Sequence, residues 1–80
     1  MHGLSTAENI LKAVLVEVEK HHEQRIKHIE VSLDKHGFME ADEIKFCFEL
    51  LAKGTVAEGA NVEIELAGAN EAPQITLELD

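Results

Sequence analysis

A single cysteine, Cys47, in a chain of 80 residues leaves no second thiol for an intrachain disulfide and no ligand set for a Cys-rich zinc site. That usage suits a reducing cytosol. Basic residues are scarce too: seven Lys and Arg stand against 16 Asp and Glu, for a formal net charge of -9. Binding a phosphate backbone requires neutralising cations, so nucleic acid is excluded as a partner. No apolar run approaches the roughly 20 residues of a membrane span, and no basic segment precedes an apolar stretch of signal-peptide length. A soluble, cytoplasmic chain with no membrane contact is expected. A Gly-rich phosphate loop, an internal repeat and a nucleophile paired with a base are all missing, which argues against an enzyme.

What is there is an amphipathic pattern, with 45% of residues hydrophobic, enough for one small domain over residues 1–80. Ser5 followed by Glu8 reads as a capping box, predicting a helix from Thr6 that fades near His22. Ala7, Ile10, Leu11, Val14, Leu15 and Val18 recur at helical spacing and mark its core face. From Arg25 the period becomes two, with Ile29, Val31 and Leu33 alternating with His28, Glu30, Ser32 and Asp34. A turn at "DKHG" precedes a second helix carrying Ile44, Cys47, Phe48 and Leu51, with Gly54 placed to stop it at positive φ. The tail holds two further alternating runs, Val62, Ile64, Leu66 and Ile75, Leu77, Leu79, around a loop near 67–73 that contains Gly68, Asn70 and Pro73. They read as a hairpin. The predicted fold is α+β: two helices packed on one face of a three-stranded mixed or antiparallel sheet, with its other face open and the N-terminal residues available for a short extra strand.

The first residues, "MHGLS", carry the chemistry of interest. The Met1 amine, the His2 amide nitrogen and the His2 Nδ1 can close two fused chelate rings, giving three nitrogens in a plane. Planar nitrogen sets favour Ni(II) or Cu(II) over Zn(II). An α-amine ordinarily titrates near pH ~8, so proton competition is modest at neutral pH, while each released proton makes affinity pH-dependent. The fourth position stays open to ligand exchange, which suits transfer. The alternative is that Met-His is the ordinary start of a helix. His36, in a loop, is a candidate additional ligand. His21 and His22 are adjacent, point in different directions on a helix and suit a solvated helix end. Cys47, between Phe46 and Phe48, is expected to be a small buried hydrophobe.

Over "FCFELLAKGTVAEGANVEIE", residues 46–65, the sequence resembles the HypA family, accessory proteins that deliver nickel during maturation of nickel-iron hydrogenase. The likeness extends in weaker form across nearly the whole chain. The resemblance implies a single HypA-like domain binding Ni2+ at Met1 and His2, with a HypB-like GTPase and the hydrogenase large subunit as partners. Two departures accompany it: Gly3 stands where the family commonly has Glu, and "AGANEAP" takes the place of a zinc-binding segment with two Cys-x-x-Cys pairs, so no zinc is expected. Those departures also fit a metal-independent interaction module that retains the fold, using its acidic sheet face toward a basic partner or an edge strand to form a homodimer.

Overall fold

The computed structural model describes residues 2–20, 25–33, 40–66 and 74–79, with the backbone alone at His2. Five elements follow in the order α1 (His2–Glu19), β1 (Ile26–Leu33), α2 (Ala41–Leu51), β2 (Asn61–Leu66) and β3 (Gln74–Leu79). The three strands form one mixed sheet in the order β2-β1-β3, with β2 parallel and β3 antiparallel to β1. This is the expected α+β arrangement. The "DKHG" turn, the loop near 67–73 and the region around His22 lie outside the described residues.

The helical stripes and the inner strand positions form one core. Ala7, Ile10, Leu11, Val14 and Val18 of α1 are buried with Ile44, Cys47 and Phe48 of α2, Ile26, Ile29, Val31 and Leu33 of β1, and Val62 of β2. Each fully buried aliphatic or aromatic side chain contributes roughly 1.5–3 kcal/mol. Phe48, Ile29, Ile44 and Val14 are the largest to be completely enclosed. Phe46 shows the helical period at work: two residues before Phe48, it points away and is 62% exposed. Cys47 is a free, buried thiol, as its setting predicts.

Three expectations require correction. The first helix starts at His2 and not at Thr6, so Ser5 is an interior, exposed residue and no capping box forms there. The same helix occupies the residues that were expected to add an extra strand. The tail strands do not pair as a hairpin, because β1 lies between them. The reason is connectivity: α2 provides the long crossover that lets β2 run parallel to β1, and β3 takes the remaining edge of β1.

Residues 52–60 pin this crossover. The Ala52 amide closes the end of α2 on the Phe48 carbonyl at 2.8 Å, and Gly54 follows with φ +83°, the left-handed conformation that a helix stop favours. The Thr55 hydroxyl donates to the Ala52 carbonyl at 2.6 Å and accepts from the Ala57 amide at 3.1 Å. The Ile26 amide, at the start of β1, donates to the Val56 carbonyl at 3.2 Å. The "KGTVAEGA" block is therefore a hydrogen-bonded scaffold that ties the end of α2 to the start of the central strand.

Candidate metal centres

Two places carry metal-ligating residue types, and they lie on different parts of the fold. The first is the start of α1. Met1, His36 and the imidazole of His2 lie outside the described residues, so their mutual geometry is not part of the structure. The backbone of His2 is the first residue of α1. Amides in a first helical turn have no acceptor within the helix. The His2 nitrogen can thus be given to another use without breaking a helical hydrogen bond.

Gly3 is buried beside this start, with the side chain of Glu43 set against it. A Cβ built on Gly3 would lie 2.7 Å from Glu43 Cγ and 2.8 Å from Glu43 Oε1. Glu43 sits in the first turn of α2, where a carboxylate is favoured by the helix dipole. The missing side chain at position 3 lets α2 bring its own carboxylate against the first turn of α1. Sequence reading noted the absence of Glu at position 3 but had no means of seeing what fills the space.

The second place is the outer face of the sheet. Pairing sets the outward residues in three rows: Asn61, His28 and Glu78; Glu63, Glu30 and Thr76; Glu65, Ser32 and Gln74. No Lys or Arg stands in these rows. His28 Nε2 lies 3.3 Å from Glu30 Oε1 and 3.8 Å from Glu63 Oε2, and one ligand atom from each of the three residues falls within 4.8 Å of the others. The His28 side chain is 22% exposed, against 57% for Glu30 and 65% for Glu63. A groove of about 530 Å³ runs on from the two carboxylates along Ser32, Glu65, Gln74 and Thr76.

The outward direction of His28 and Glu30 was legible in the alternation of "HIEVSL", but their meeting with Glu63 was not. It depends on the parallel register that sets Glu30 opposite Glu63. The register with β3 also shifts between Ile26 and His28, with one residue more on β1 than on β3. Strict alternation back from Ile29 would turn Lys27 inward; the extra residue buries Ile26 instead and leaves Lys27 exposed.

Comparison with known proteins places the chain in a family. Residues 1–71 match a family described as "Hydrogenase/urease nickel incorporation, metallochaperone, hypA". Among curated relatives, a hydrogenase maturation factor HypA from Chlorobium phaeobacteroides is 39% identical over 75 residues, covering 90% of this chain and 66% of the relative. The protein of the same name from Methanopyrus kandleri is 35% identical over 66 residues, covering 82% of this chain and 46% of its own length. That from Methanocaldococcus jannaschii is 34% identical over 70 residues, covering 81% of this chain and 56% of the relative. The chain therefore spans about half to two thirds of the length of these relatives. With the match running from the first residue through both helices and the first two strands, the chain belongs to the HypA family of nickel-incorporation metallochaperones.

Proposed function

We propose that this chain binds Ni(II) through Met1 and His2 and passes it on during maturation of nickel-iron hydrogenase, acting without catalysing a reaction. The observation that carries this reading is the family match, which includes the Met-His start itself. Two features of the fold support it. Because α1 begins at His2, the amide required as the middle ligand is one that the helix does not use. The Glu43 carboxylate against Gly3 also offsets the repulsion that the positive end of the helix would exert on a cation bound there.

In this reading the residues act in sequence. The amine of Met1 and the amide and imidazole nitrogens of His2 hold the ion in a plane, leaving a fourth position for His36, water or a recipient's donor. Exchange at that position begins transfer, because an incoming ligand can bind before the three nitrogens leave. The partners on this reading are a HypB-like GTPase and the hydrogenase large subunit, in the cytoplasm. Residues 1–80 act as one nickel-binding domain without a Cys-x-x-Cys zinc segment, and a homodimer is the assembly that the open sheet edges permit. Among the described residues no helix is long and apolar enough to cross a membrane.

The test is Ni(II) titration of tag-free protein with its native Met1, beside His2→Ala and a chain extended at the N-terminus. The expected outcome is a site with a planar-nickel absorption band that both changes abolish, with affinity rising as pH rises because binding displaces protons. A band that survives both changes rejects the N-terminal site. Failure of the native chain to bind leaves the metal-independent interaction module as the better account.

A further inference from the structure

The geometry points to a second metal site on the open sheet face, where His28, Glu30 and Glu63 bind a divalent first-row transition ion such as Zn(II) or Ni(II). This site stands apart from the N-terminal reading and shares no residue with it. Three observations carry it.

The first is spacing. Nitrogen and oxygen donors sit about 2.0–2.2 Å from such an ion, so neighbouring donors on one ion stand about 3–3.5 Å apart. The His28 Nε2 distances of 3.3 Å and 3.8 Å to the two carboxylates are close to that already, all three donors lie within 4.8 Å of one another, and rotation of the exposed Glu63 side chain brings its oxygen nearer the other two. The second is charge. The parallel register fixes Glu30 directly opposite Glu63, a like-charge pairing that costs stability in a sheet. Glu65 and Glu78 stand in the adjoining rows, and among the described residues the ion-pair partner of Glu30 and Glu63 is His28 alone. A bound cation would relieve this repulsion. The third is rigidity and room. All three ligands stand on paired strands and His28 is largely enclosed, while the adjoining groove leaves space for water or a further ligand to complete the coordination.

The donor chemistry narrows the ion. One imidazole with two carboxylates suits borderline ions such as Zn(II), Ni(II) or Co(II), whereas Mg(II) and Ca(II) favour oxygen donors throughout. The site should thus discriminate against the hard cations that gather at any acidic surface.

The test uses the full chain with its N-terminus blocked by an extension, titrated with Zn(II) alone and followed by calorimetry and by the amide signals of the folded protein. One equivalent should bind, shifting the signals of residues 28, 30 and 63, and excess Mg(II) should not displace it. His28→Gln and Glu63→Gln should each remove the binding while leaving the circular dichroism spectrum unchanged. No binding, binding that survives both substitutions, or ready displacement by Mg(II) would overturn the site, the last by showing a diffuse counter-ion effect. Ni(II) titration of the native chain then separates the two proposals. An equivalent lost in His2→Ala belongs to the N-terminus, and one lost only in His28→Gln belongs to the sheet.

Discussion

The two faces of the sheet are built from alternate residues of the same strands, yet they obey different rules. The inner face is closed by both helices, and every side chain of β1 that points there, Ile26, Ile29, Val31 and Leu33, is buried and apolar. The outer face carries His28, Glu30, Ser32, Glu63, Glu65 and Glu78, with nothing packed over them among the described residues. A change on the inner face is felt as lost packing throughout one core, while a change on the outer face is felt as charge. Packing and surface charge are thus separable by the face on which a strand position lies, with the bulge between Ile26 and His28 interrupting strict alternation in β1.

That separation is open to direct attack. The largest effect is expected from Phe48→Ala, which removes a fully enclosed ring and should cost about 3–5 kcal/mol in urea unfolding. It should leave the metal stoichiometry of the folded fraction unchanged. Gly54→Ala tests the crossover rather than either face: a Cβ at φ +83° meets no neighbour but must adopt a left-handed conformation, at a cost of about 1–2 kcal/mol. The smallest effect sharpens the contrast most. Glu63→Gln removes one half of the in-register carboxylate pair at an exposed site, and should raise stability by about a few tenths of a kcal/mol in metal-free buffer while abolishing the proposed sheet site. A loss of stability on that substitution would show that the carboxylate serves the fold through its electrostatic contact with His28.

Period alone revealed the faces. Ala7 through Val18 and Ile29 through Leu33 announced their inward positions because burial selects apolar residues at 3.6 and at 2. Neighbours were harder to read. Two alternating runs next to each other in sequence look like a hairpin, and only the position of α2 between β1 and β2 hints at a parallel crossover. The start of α1 was misplaced for a local reason: Ser5 and Glu8 have the spacing of a cap, but the helix already includes them. The candidate sites divide in the same way. Met1 and His2 are adjacent in the chain, so their chelating potential is written in order, and His28 with Glu30 was visible as a pair on one strand face. Glu63, 33 residues beyond Glu30, joins them only through strand register.

The contact between Gly3 and Glu43 has a consequence for how this domain tolerates change. Because the space that a side chain at position 3 would fill is held by the carboxylate of residue 43, the two positions are not independent variables. Gly3→Glu alone requires the Glu43 side chain to move, whereas pairing it with Glu43→Ala clears the space for it. The two substitutions should therefore be strongly non-additive, each conditioning the other. A larger residue at position 3 is thus felt first on the second helix, at the side chain of Glu43.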